Sequence, residues 1–172
     1  MECTLQVINA MQEEGLLRGY AIGGGIATLF YIEPITTFDL DIFVVLPDSS
    51  ELIVSLSPLY TWLEKKGYSP HNEQVIIEGV PVQFIPVYND LLNDALNNAV
   101  EKIYGHTSTR VLGAEYLMAI MLQTYRPKDR DRLIKFLDES GVSLMYLNSI
   151  LEKHDLKKKF EHFKREYYGK EF

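Results

Sequence analysis

The chain has 172 residues, 47% hydrophobic and 24% charged, which suits one globular domain and excludes a disordered tail, a collagen-like repeat or a mucin-like stalk. Its net charge of −7 argues against non-specific nucleic-acid binding through the whole surface, although residues 153–172 hold seven Lys/Arg against four Asp/Glu. The single cysteine, Cys3, allows no intrachain disulfide and no multi-cysteine metal site. With no basic region leading into an apolar one at the N-terminus, and with Ala21–Ile32 too short and glycine-rich to span a bilayer, the expected location is the cytoplasm, without membrane association.

In chain order, residues 2–17 read as an amphipathic helix, with Leu5, Ile8, Met11 and Leu16 at roughly helical spacing. Gly19–Ile22 is a short strand ending in Gly23-Gly24-Gly25, and Ile26–Ile32 a short helix stopped before Pro34. Phe38–Leu46 is the clearest strand, alternating at first and then continuously apolar, as in a strand buried on both faces. Ser49 and Ser50 can cap a helix that runs to about Lys66 through Leu52, Leu56, Leu59 and Leu63.

Gln74–Ile77 and Val80–Val87 flank a two-residue Glu78-Gly79 turn. Pro81 and Pro86 place the second of these strands at a sheet edge, or make it short. From Leu91 the chain reads as mostly helical, interrupted near residues 105–109, with helices at Glu115–Tyr125, Lys128–Glu139, Ser143–His154 and Lys157–Tyr168. The expected class is α+β: a small mixed sheet flanked by helices in residues 1–90, with a helical region, residues 91–172, packed on it as one compact unit.

Asp39 and Asp41 carry the chemistry. Two residues apart on a strand, they point the same way with Cα atoms roughly 6–7 Å apart. Two such carboxylates can converge on a hard divalent cation such as Mg²⁺, which takes one or two carboxylates plus substrate phosphates. Solvated aspartates at the start of a strand are the alternative. The Gly23-Gly24-Gly25 turn lets backbone N–H groups approach an anion, or is simply a tight turn. It is no Walker A loop, since no Gly-Lys-Ser/Thr follows, and Thr28 stands where a dinucleotide fingerprint needs its third glycine.

Other groups form no recognisable site. His71, His106, His154 and His162 lack metal-ligand spacing, Ser108 has no partner His and acid, and Cys3 has no basic neighbour. The basic, aromatic helix over residues 153–165 can touch an RNA backbone or an acidic partner, or can simply pack its aromatics.

Taken together, Gly24-Gly25, a thirteen-residue spacer and Asp39-Leu40-Asp41-Ile42 resemble the DNA polymerase β-type nucleotidyltransferase superfamily. Gly24-Gly25-Ile26-Ala27 and Thr37-Phe38-Asp39-Leu40-Asp41 look like its small bacterial and archaeal members, similar to the abortive-infection-type toxin nucleotidyltransferases. Ala114-Glu115-Tyr116-Leu117 and Arg126-Pro127-Lys128-Asp129-Arg130 resemble the helix–loop–helix segment of those proteins. The resemblance covers residues 20–46 and 112–137.

It implies an Mg²⁺-dependent transfer of a nucleoside monophosphate from an NTP to an RNA, such as tRNA, or to a protein acceptor. Asp39 and Asp41 would hold the metal; Gly24, Gly25, Thr37, Arg126 and Lys128 would hold the nucleotide; Asp129 completes the motif without a settled role. The acidic triad is incomplete, because Gln83 stands where the third carboxylate belongs. Ile35 and Met121 replace an arginine and a lysine frequent in the relatives. These departures imply an alternative: a catalytically degenerate member that binds a nucleotide or a partner as a regulatory, toxin–antitoxin-like component. An oligomerisation module built on the helical half is a third, structural possibility.

Overall fold

The computed structural model describes residues 1–33, 36–47, 55–139 and 141–169. One mixed seven-stranded sheet holds the chain together, in the order β3-β4-β5-β2-β1-β7-β6. The strands are β1 (Gly19–Ile22), β2 (Leu40–Val45), β3 (Pro70–His71), β4 (Gln74–Ile77), β5 (Val80–Pro86), β6 (Val100–Tyr104) and β7 (Thr107–Val111). The helices are α1 (Glu2–Glu13), α2 (Gly24–Thr28), α3 (Ser57–Lys65), α4 (Asp90–Asn97), α5 (Ala114–Thr124), α6 (Pro127–Glu139), α7 (Leu144–Lys153) and α8 (Lys157–Tyr168). This is the α+β arrangement that the sequence suggests. Among the described residues, no helix is long and apolar enough to cross a membrane.

The centre of the sheet is β2, antiparallel to β1 and parallel to β5. Its apolar run explains the position: Leu40, Ile42 and Val44 are fully buried on one face, and Phe43 is buried on the other. The strand begins at Leu40, so Asp39 lies just before it and Asp41 within it, while Phe38 remains 82% exposed. Glu78 and Gly79 both take positive φ, 51° and 78°, the backbone of a primed hairpin turn that joins β4 to β5.

Against the sequence reading, β5 is an interior strand of seven residues. The register shows how its prolines are accommodated. Pairing with β2 runs from Val82 to Pro86 and pairing with β4 from Val80 to Val82. Pro81 therefore has a strand on one side only, as does Pro86, and neither is asked for a bond on both. A second difference is the hairpin of β6 and β7, in a stretch that the sequence suggests is mostly helical. Its polar residues conceal the strands: Thr107 and Thr109 are buried because Gln6 and Tyr20 hydrogen-bond to them, at 3.3 and 3.1 Å.

Helix α2 starts two residues earlier than its apolar residues indicate, because the Thr28 hydroxyl donates to the Gly24 carbonyl, 2.8 Å, and closes the turn on the glycines. Helix α1 ends at Glu13, four residues short of the expected end, and the chain turns at Gly15 with φ +79°. Helix α3 is described from Ser57 onward; the expected serine cap and Leu52 lie outside the described residues. Helix α5 is the hub of the helical layer, packing on α2, α4, α6 and α7. Its sequence is apolar almost all round, and Ala114, Tyr116, Leu117, Met118, Ala119, Met121 and Leu122 are all buried.

Truncating the central strand tests this account of the core. Ile42→Ala is expected to cost about 2–5 kcal/mol, read from urea unfolding; a loss below about 1 kcal/mol would mean that β2 is not the packed centre of the sheet.

Candidate active site

The parallel pairing of β2 with β5 sets the site. Asp41 sits opposite Gln83, and Phe43 opposite Ile85, so four side chains form two adjacent rows on one face. The glycine turn closes over the first row. The Gly23 N–H donates to the Asp41 carbonyl at 2.9 Å. Gly24 has φ +56°, and a Cβ built on it would lie 1.7 Å from Asp41 Oδ2. A Cβ on Gly25 would lie 2.3 Å from Thr37 Oγ1, and one on Gly23 would lie 2.2 Å from the Phe43 ring. Glycine is required here because main chain lies directly against a carboxylate and an aromatic ring.

The opposite wall comes from α5, α6 and the corner between them. Leu117, Ile120, Met121 and Thr124 recur along one face of α5; Arg126, Lys128, Asp129 and Arg132 follow. These residues, with Gly24, Gly25, Asp39, Asp41, Phe43, Gln83, Ile85, Tyr88 and Leu92, enclose a cleft of about 230 Å³. Its polar lining includes three acids, bare main chain and three cations. The rest is largely apolar.

Asp129 lines the cleft but its carboxylate is committed. It is 1% exposed and accepts from Arg126 Nε at 2.8 Å, from the Thr124 hydroxyl at 2.7 Å and from the Arg126 backbone N–H at 3.2 Å. The last bond is that of a helix-capping acid reaching back over the first turn of α6. Burial alone would raise the Asp129 pKa, but the bonds from Arg126 and Thr124 hold it below the ordinary carboxylate value.

Asp41 behaves in the opposite way. Burial and the neighbouring charge of Asp39 push its pKa up to about 6, against the opposing fields of Lys128, Arg126 and Arg132. A carboxylate whose charge is disfavoured, beside a second carboxylate, is a donor set a divalent cation relieves. Among the described residues no cluster of three or more His, Cys, Asp or Glu groups is arranged to hold a metal. The pair therefore fits a cation such as Mg²⁺ that completes its coordination from water and phosphate, and does not fit an all-protein cage.

The structure brings together Gly24, Gly25, Asp39, Asp41, Gln83, Arg126, Lys128 and Asp129, all singled out in the sequence. Thr37 is not on the cleft wall but abuts Gly25. Met121 is on the wall and buried; Ile35 lies outside the described residues. The sequence reading missed Arg132 and the apolar half. Arg132 had a signal, since it follows Lys128 by one helical turn, and Phe43 and Ile85 each follow a polar site position by two residues of strand. Tyr88 and Leu92 had none, because only the fold returns them to the cleft.

No protein-family model matches the sequence, and no curated protein does either. Solved structures do match. An antigenic nucleotidyltransferase-like protein from Paracoccidioides brasiliensis aligns with a TM-score of 0.56 at 13% identity, over 93% of this chain and 92% of that one. The antibiotic-resistance factor ANT(2'')-Ia aligns with a TM-score of 0.53 at 13% identity, over 98% and 99% of the two chains.

Two measurements probe this geometry. Folding the metal-free chain takes Asp41 from an ordinary carboxylate pKa of 3.8 to about 6. The folded state then binds the proton more tightly, so stability is lost as pH rises from about 4 to 6, by on the order of 3 kcal/mol. Asp41→Asn is therefore expected to melt above wild type at pH 7.5 in chelator and level with it at pH 4; an equal difference at both pH values would refute the charge account. Gly24→Ala is expected to lose at least about 1–2 kcal/mol from its left-handed backbone alone, and calorimetry showing wild-type stability would mean that the turn does not press on Asp41. Two structural matches over 93% and 98% of this chain establish that it has a nucleotidyltransferase fold.

Proposed function

We propose that this chain is an Mg²⁺-dependent nucleotidyltransferase that moves a nucleoside monophosphate from an NTP to a hydroxyl of an RNA, such as tRNA, or of a protein, in the cytoplasm. The observation that carries the reading is a single cleft lined by the Asp39–Asp41 pair, the glycine main chain and the cations Arg126, Lys128 and Arg132. Asp39 and Asp41 would hold the metal, which supplies charge neutralisation on the phosphate oxygens.

The remaining groups divide the work by chemistry. The main chain of Gly24 and Gly25 lies against Asp41, Thr37 and Arg132 with no side chain of its own between them, so its N–H groups can approach a phosphate bound beside those residues. Arg126, Lys128 and Arg132 offset the negative charge of a triphosphate. The apolar wall of Phe43, Ile85, Leu117, Ile120 and Met121 keeps water from the reacting centre. Asp129 is occupied by Arg126 and Thr124, so Asp39 and Asp41 are the cleft carboxylates able to take the proton of the attacking hydroxyl.

A second reading has its own observation. Gln83 pairs directly with Asp41 in the sheet, and its amide donates to Glu73 at 3.4 Å. A neutral amide beside the metal-binding pair is a weaker ligand and no base, and Met121 adds no charge. Both support a degenerate protein that binds a nucleotide without transfer and regulates a toxin or antitoxin partner.

Label transfer separates the two. Wild type is incubated with Mg²⁺, each α-labelled NTP, and total RNA or lysate protein. The expected result is labelled acceptor, reduced at least 10²-fold by Asp39→Asn or Asp41→Asn. Nucleotide binding without label in any acceptor favours the regulatory reading, and transfer indifferent to both substitutions would defeat the proposal.

A further inference from the structure

The corner between α5 and α6 presents an arginine whose direction is fixed from behind. Arg126 is 57% exposed at its side chain, yet Asp129 behind it is 1% exposed and holds it by Nε at 2.8 Å and by one Nη nitrogen at 3.4 Å. The other Nη nitrogen keeps its N–H groups for a ligand. Arg126 lines the same cleft as Asp41 and Asp39, and the fields of both acids act on its guanidinium.

The anchor is itself anchored. Thr124, at the end of α5, donates to the same Asp129 oxygen at 2.7 Å. Tyr125 between them is left-handed, with φ 53°, and its ring is enclosed by Lys159 at 5.0 Å and Arg130 at 5.5 Å. Its hydroxyl donates to Glu166 of α8 at 3.0 Å. A long, exposed arginine normally loses rotamer freedom when it grips an anion; one already held on its inner edge loses less and binds more tightly.

Resting on the nucleotidyltransferase reading, we propose that Asp129 is a positioning residue: through its buried contact with the inner edge of Arg126 it preorganises that guanidinium to grip the triphosphate, and takes no part in the chemistry itself. The same contact excludes Asp129 as a metal ligand or base, because all its close bonds point into the α5–α6 corner.

Asp129→Asn isolates the effect. The amide oxygen still accepts from the Arg126 backbone N–H and from Thr124, so the helix cap persists, while the charge-assisted grip on the guanidinium is lost. The probe is inorganic tripolyphosphate with Mg²⁺, titrated by calorimetry, which needs no knowledge of the base. The expected result is a Kd about tenfold weaker in Asp129→Asn, and no further weakening when Asp129→Asn is added to Arg126→Ala. A Kd equal to wild type, or an equal loss with and without Arg126, would overturn the proposal and leave Asp129 a helix cap. If Asp129→Asn does not fold, Thr124→Val loosens the same anchor with both charges kept, and about a threefold weaker Kd is expected; a wild-type value there would overturn the proposal equally. A wild-type protein that binds neither Mg²⁺-tripolyphosphate nor any NTP would instead sink the nucleotidyltransferase reading itself.

Discussion

The structure turns on one close approach, the main chain of Gly24 lying against the carboxylate of Asp41. It fixes several things together. The turn after β1 has to be glycine with positive φ, and its N–H at Gly23 is tied to the backbone of β2. The acid is pressed into a half-buried position where its own negative charge is disfavoured. Asp39 beside it deepens that penalty. Lys128, Arg126 and Arg132 in the same cleft oppose that penalty only in part, so Asp41 is left with a perturbed charge of the kind concentrated at functional sites.

The surroundings divide the work between halves of the molecule. The sheet supplies the acids and the turn, because parallel pairing of β2 with β5 fixes which residues share a face. The helical layer supplies the cations, because α5 packs most of its surface into the core and carries the α5–α6 corner to the cleft. Arg126, Lys128 and Arg132 then share the cleft with the acids, and their fields act on Asp41. Asp129 gives Arg126 a buried carboxylate partner of its own.

Much of this was legible in the residues, and the parts that were not have definite causes. The glycine turn and the acidic strand are local in sequence, so spacing alone found them. The four C-terminal helices carry clear periodicity and appear within a residue or so of their expected bounds. The β6–β7 hairpin was hidden because two of its three buried positions are threonines, satisfied by Gln6 and Tyr20 from elements distant in sequence. The interior place of β5 was hidden because its prolines argue for an edge, and only the register shows that each faces one neighbour. The apolar half of the cleft drew on β2, β5, α4 and α5 at once, a juxtaposition that no local pattern encodes. Gln83, singled out by the family resemblance, lies opposite Asp41 in the sheet.

The central claim is that the acid pair and the bare glycine main chain grip one metal–triphosphate unit. A crystal soaked with Mn²⁺ and a non-hydrolysable NTP analogue tests it most directly. The account requires anomalous density between Asp39 and Asp41, with the triphosphate running from that ion past Gly24 and Gly25 toward Arg126. Metal or triphosphate bound elsewhere, with the aspartates left to water at saturating ligand, would contradict it.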